Sequence, residues 1–105
     1  MYNLEELTSE VITLKLISGI EVLSQLLGVD EETGVITVGN PRIVVINGPD
    51  LALIPYIFTG PTDVVTMPIS AILSVCKATD DSTADFESVI NSEIEVESTT
   101  EIVDK

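Results

Sequence analysis

The 105-residue sequence predicts a mainly β domain, in which a short N-terminal helix precedes a strongly bent, five-stranded antiparallel sheet. Three observations predict this class. Apolar residues alternate with polar ones or run together in short segments, as in strands rather than helices. Turn residues separate the segments and leave no room for a helical crossover, which makes neighbouring strands antiparallel. Glycine and proline interrupt two long segments, as is typical of sheets that curl into a small open barrel.

The N-terminal segment predicts a helix followed by a strand. Asn3 and Glu6 have the spacing of a capping box, so we expect a short helix over about residues 4–9. From Val11 to Ile17 the apolar period changes to two, which predicts the first strand.

Turn signals divide the following segment into further strands. Asn47-Gly48-Pro49-Asp50 is the strongest hairpin signal in the chain. Gly39-Asn40-Pro41 and Gly60-Pro61 fall inside apolar runs, and there they predict bends rather than strand ends. Four further strands are predicted, over residues 20–29, 35–46, 51–67 and 71–77.

The acidic residues divide the chain into two regions. The formal net charge is −14, from 18 acids and four bases. Residues 1–77 contain nine acids and three bases, and residues 78–105 contain nine acids and one base. The second region is also rich in Ser and Thr, a composition typical of a solvated and disordered tail. We therefore predict a domain at 1–77 and an acidic tail at 78–105.

The tail also contains one alternative signal, for a short helix near residues 82–91. Asp80 or Asp81 would cap this helix. Phe86 would lie on its apolar face, with Val89 and Ile90 three and four positions later.

The composition argues against an enzyme. The chain has no His and one Cys, which excludes a Ser-His-Asp triad, a Cys-His pair, a disulfide and a thiolate zinc site within the chain. Asp30-Glu31-Glu32 is best interpreted as a solvated turn rather than a carboxylate pair or metal site. Cys76, in an apolar strand, is expected to be a buried and unreactive thiol. We predict no cofactor and no metal.

The apolar stretch from Leu51 to Cys76 supports two further predictions. Pro55, Gly60 and Pro61 interrupt it, so we expect strands and no membrane-spanning helix. Tyr56 and Phe58 favour packing in a core or interface over a stacking platform for bases.

The apolar content predicts self-association. Ile43–Ile46 and Leu51–Ile54 are continuous apolar runs, so both faces of these strands need cover. A body of about 77 residues does not enclose that much apolar surface alone. The last strands also contain few charges that would prevent edge pairing.

Residues in the first two strands resemble a known family motif. The pattern is an apolar strand, a glycine, a small residue, a leucine and an aspartate, and it is formed by Leu16, Ile17, Gly19, Ser24, Leu26 and Asp30. It resembles the first motif of the Sm-like family, whose fold is a short helix followed by five bent strands. Asn40-Pro41-Arg42-Ile43 and Met67-Pro68-Ile69-Ser70 are similar to small Sm-like proteins of tailed phages of cyanobacteria.

This resemblance implies a closed homo-oligomeric ring of about five to seven subunits. The fourth strand of one subunit would pair with the fifth strand of its neighbour. The matching interface residues are Val64, Val65, Thr66, Met67, Ile72, Leu73, Ser74 and Val75. A phage-encoded protein of this kind would act in the cytoplasm of its bacterial host.

The resemblance also implies a binding site for single-stranded RNA near the pore. Asp30 matches the family's aspartate, while Thr33 and Gly34 occupy the positions of the stacking residue and the asparagine. Met67 lies in the segment that matches the second motif, and this segment has no Arg, Lys or His. Two functions remain open: a ring that binds RNA weakly or unconventionally, and a phage scaffold ring that binds proteins and no nucleic acid.

Overall fold

The computed structural model describes residues 4–57 and 59–103, with side chains up to residue 92. The chain is mainly β. The strands are β1 (Val11–Leu16), β2 (Glu21–Asp30), β3 (Val35–Asn47), β4 (Asp50–Pro55), β5 (Val65–Pro68) and β6 (Ile72–Lys77). Short 3-10 turns span Leu4–Leu7 and Ile69–Ala71, and one helix, α1, spans Asp80–Val103.

The strands form one antiparallel sheet in the order β4-β3-β2-β1-β6. β5 also pairs with β3, on the edge that faces away from β2. β4 pairs with residues 42–47 of β3 and β5 with residues 35–38, so β4 and β5 follow each other along the same edge. The sheet is not closed on itself.

The predicted N-terminal helix and strands of residues 1–77 agree with the structure except at two places. The prediction of an N-terminal α-helix is wrong, because Leu4–Leu7 forms only a 3-10 turn. Asn3, the predicted cap of that helix, lies outside the described residues. The fourth strand is divided into β4 and β5, because the described residues between Pro55 and Val65, around the predicted Gly60-Pro61 bend, are not in strand conformation.

The bend in β3 occurs where the sequence places Gly39-Asn40-Pro41. The pairing with β2 shifts register between Leu23 and Gln25, opposite this segment. Ser24 is buried there, and its hydroxyl donates to the Gly39 carbonyl at 2.9 Å. Asn40 has a φ of 51°, a left-handed conformation that asparagine tolerates better than most residues. Asn40 and Pro41 thus stand opposite Ser24 alone, and this one extra residue forms a bulge that bends the strand.

The predicted hairpin between β3 and β4 is confirmed. Asn47 pairs with Asp50, so Gly48 and Pro49 form a two-residue turn. Gly48 has a φ of 63°, which a residue with a β-carbon rarely adopts.

The main core lies on one face of the bent sheet. Its buried side chains come from β1, β2, β3 and β5: Ile12, Leu14, Leu16, Val22, Leu26, Ile36, Val38, Val65 and Met67. Tyr56 packs against this core, as expected, whereas Phe58 lies outside the described residues.

A second apolar cluster lies on the other face of the sheet, beneath α1. It contains Val11 and Leu23 from the sheet, Ala78, and Phe86 from the helix. The first half of the acidic region is therefore packed on the domain, and the expectation of a largely disordered tail is wrong for the described helix. Composition misled the prediction because one buried aromatic residue anchors an otherwise polar segment.

The helix also begins differently from the sequence prediction. Thr79 is the capping residue, since its hydroxyl accepts a hydrogen bond from the Ser82 N–H at 3.1 Å. Asp80 and Asp81, the predicted caps, lie in the first turn, where their charges favour the positive end of the helix dipole.

Candidate functional site

The turn between β2 and β3 contains three of the four predicted ligand residues. Asp30 accepts hydrogen bonds through its Oδ1 atom from the N–H groups of Glu32 and Thr33, at 3.1 and 3.3 Å. The Gly34 N–H donates to the Asp30 carbonyl at 2.9 Å, and Gly34 has a φ of 72°. Asp30 is therefore a turn former that remains exposed to solvent.

The same turn meets the end of β5. The Ile69 N–H donates to the Gly34 carbonyl at 2.8 Å, and Val35 pairs with Pro68. The structure thus brings the turn of Asp30, Thr33 and Gly34 next to Pro68 and Ile69. Met67 has a different position, because its side chain is 6% exposed and packs in the main core.

We expect replacement of Asp30 by alanine to lower the free energy of unfolding by about 1 kcal/mol. Alanine removes the oxygen that accepts two backbone N–H groups in the turn. Asp30→Asn keeps an acceptor oxygen and should change stability by only a few tenths of a kcal/mol. Urea denaturation of the three proteins measures this. Equal stability of Asp30→Ala and the parent chain would contradict the structural role of this side chain.

The predicted interface residues lie on two strands at opposite edges of the sheet. β5 pairs only with β3 and β6 only with β1 within the described residues. Thr66, Leu73 and Ser74 are exposed, whereas Val65 is buried and Val75 half-buried. Each strand therefore directs some of its side chains to the domain and others to solvent.

The hydrogen bonds show which backbone groups of β5 face outward. The Ile69 N–H points to β3, and in an antiparallel ladder the direction alternates from residue to residue. The backbone N–H and carbonyl groups of Met67 and Val65 therefore point to β3. Those of Thr66, and the carbonyl of Pro68, point to the open edge of β5. Pro68 has no N–H to pair, which fits its edge position. Thr66 presents both its N–H and its carbonyl to the open edge.

The same reasoning applies to β6. The Ala78 N–H donates to the Val11 carbonyl at 3.0 Å. The backbone N–H and carbonyl groups of Ala78 and Cys76 therefore point to β1. The backbone groups of Val75 and Lys77 face the open edge. Outward-facing backbone N–H and carbonyl groups therefore lie along two different edges of the sheet, one formed by β5 and the other by β6.

Exposed apolar side chains accompany these edges. Val64 precedes β5 and is 56% exposed, and Leu73 of β6 is 69% exposed. Ile17 is 68% exposed, and its N–H donates to the Ala71 carbonyl just before β6. Ile17 is not among the predicted interface residues, although its place on the same side of the first strand as Thr13 and Lys15 was a signal of exposure.

The bases of the described residues are engaged elsewhere. Lys15 forms an ion pair with Glu21 and Lys77 with Glu10, each at 3.6 Å between Nζ and Oε1. Arg42 is 1% exposed within β3. Sequence reasoning missed this burial, because a charged residue beside a bend is ordinarily solvated.

Cys76 corrects another expectation, because its side chain is exposed rather than buried. β6 is an edge strand, and its half-buried residues are Ile72 and Val75. Among residues 4–57 and 59–103 there is no group of three carboxylates or thiols that could hold a metal ion. Within the same residues, no helix has the length and apolarity to span a membrane.

No family model matches the sequence, and no curated protein matches it at a significant level. Among solved structures, the chain is similar to one from the crystal structure of the NatC complex bound to CoA. The TM-score is 0.49 and the identity 10%, with 75% of this chain and 88% of the other covered. At these values the likeness carries no functional information.

Proposed function

We propose that the chain is a non-enzymatic Sm-like protein that assembles with copies of itself into a closed ring of about five to seven subunits. The ring acts as a binding module. Its pore would be lined by the turn that contains Asp30, Thr33 and Gly34, and single-stranded RNA would bind there weakly or unconventionally. The observation that carries the proposal is that, among the residues the structure describes, β5 and β6 each pair on one side only, at different edges of one unclosed sheet.

Two different edges favour a ring over a dimer. A contact between β5 of one copy and β6 of the next is heterologous, and a heterologous contact that closes produces a ring. Closure pairs the open edges of β5 and β6 in every subunit and so prevents uncontrolled aggregation through them. It also covers the exposed side chains of Val64, Leu73 and Ile17. The mass of the purified protein, measured by native mass spectrometry, tests this assembly.

A second candidate function is a phage scaffold ring that binds proteins and no nucleic acid. The observation that favours it is the state of the bases, since Lys15 and Lys77 are ion-paired and Arg42 is buried. A surface on which the described lysines are already paired with carboxylates offers fewer of the contacts that supply most of the affinity for RNA.

We expect the purified protein to bind a labelled oligo-uridine weakly, with little dependence on salt. A chain with a net charge of −14 releases few counterions from RNA and repels it at low ionic strength. Fluorescence anisotropy between about 50 and 200 mM salt measures this. Tight binding that weakens steeply across this range would contradict the expectation and would favour the RNA-binding ring over the scaffold.

A further inference from the structure

An apolar strip on the sheet extends beyond the cover of α1. Val44 pairs with Leu53, and Ile46 pairs with Leu51, across β3 and β4. Paired residues, and residues two apart on a strand, point to the same face, so these four side chains share one face. Val44 and Leu53 pack against the cluster that contains Phe86. Ile46 and Leu51 continue the strip and are 76% and 53% exposed.

A cleft lies at the place where the helix leaves this strip uncovered. Its volume is about 500 Å³, within the range of roughly 300–1,000 Å³ that ligand pockets occupy. The lining residues come from β2, the β3–β4 hairpin and α1: Leu23, Pro49, Asp50, Leu51, Leu53, Ser82, Asp85, Ser88 and Val89. The floor is apolar, and each wall contributes one exposed carboxylate, Asp50 from the hairpin and Asp85 from the helix.

The charges around the cleft select its occupant. No Lys or Arg is among the lining residues, so Asp50 and Asp85 have no basic partner within the lining. Nucleic acids and anionic lipid surfaces would be repelled by these carboxylates. A second copy offers little positive charge to these two carboxylates, because Lys15 and Lys77 of each copy are already paired with glutamates. A ligand with apolar side chains and positive charges complements both properties of the cleft.

We propose that this cleft binds a basic amphipathic helix of a partner protein. Apolar side chains of the partner, such as leucine, would lie on the part of the strip formed by Leu51, Leu53 and Ile46. Its Lys or Arg side chains would form ion pairs with Asp50 and Asp85. The cleft belongs to one subunit, so the proposal does not depend on the ring.

The test uses isothermal titration calorimetry with a peptide of about 14 residues, in which leucine and lysine follow the pattern of an amphipathic helix. The full chain should bind this peptide, and a peptide with glutamate in place of lysine should not bind. Combining Asp50→Asn with Asp85→Asn should weaken the affinity about tenfold. Leu51→Ser should weaken it to a similar degree, because it removes apolar contact.

Matched variants distinguish binding of the peptide in the cleft from its nonspecific binding elsewhere on the acidic chain. Glu31→Gln with Glu32→Gln removes the same charge from an exposed turn outside the cleft, and Leu73→Ser removes an exposed leucine from β6. Both should leave the affinity within about twofold. Equal losses in the matched and cleft variants, or no binding to the full chain, would overturn the proposal.

Two further outcomes identify other occupants. A fall in the mass of the assembly on Leu51→Ser would show that a second copy covers the strip, which also overturns the proposal. Thr66→Pro, designed to block the β5 edge, should bind the peptide with unchanged affinity. Retained binding by a monomeric Thr66→Pro chain supports a site within one subunit, whatever the outcome for the ring.

Discussion

Replacing Thr66 by proline is expected to convert the proposed ring into single chains of 11.3 kDa. The Thr66 N–H faces the open edge of β5, so its loss removes no hydrogen bond to β3. The proline ring removes the donor and blocks the approach of another strand. Because a closed ring uses the same contact at every interface, one substitution acts on all of them.

Thr66→Val is the matched control, since valine keeps the backbone N–H and has a shape close to threonine. Size-exclusion chromatography with light scattering, and circular dichroism of both variants, measure the result. The valine variant should retain the parent mass, and both should retain the β spectrum. A Thr66→Pro variant that stays folded with the parent mass would exclude β5 as the interface. A monomeric parent chain would exclude the ring.

The strands could be predicted from the sequence because their signals are local. The alternation in Val11–Leu16 and the turn residues of Asn47–Asp50 decide the structure of those segments without distant contacts. The position of β5 beside Gly34 depends on how far β3 bends. Spacing gave the order of these segments, but the hydrogen bond from Ile69 to Gly34 required the folded chain.

The candidate site was less predictable, because burial depends on which elements cover a residue. Arg42 lies beside a predicted bend, yet the folded chain buries it. Cys76 lies in an apolar strand, yet that strand is at an edge and leaves the thiol exposed. The acidic composition that predicted a tail also concealed the cleft, since one wall of the cleft belongs to α1.

Replacing Phe86 by alanine should lower the free energy of unfolding by about 3 kcal/mol. Phe86 is 5% exposed, and it packs with Val11, Leu23 and Ala78. Its removal leaves a cavity between the helix and the sheet. The loss should also reduce the helical circular dichroism signal, because an acidic helix that no longer packs on the sheet depends on its weak intrinsic stability.

The measurement is urea denaturation in the Thr66→Pro background at one protein concentration, so that subunit dissociation does not contribute to the transition. Glu87→Ala is the control, since it changes the adjacent, exposed residue on the same helix and should alter stability by less than about 0.5 kcal/mol. A change below about 1 kcal/mol for Phe86→Ala would mean that α1 does not pack on the sheet in solution. In that case the apolar strip of Val44, Ile46, Leu51 and Leu53 would be open along its whole length, and the cleft would lose the wall that contains Asp85.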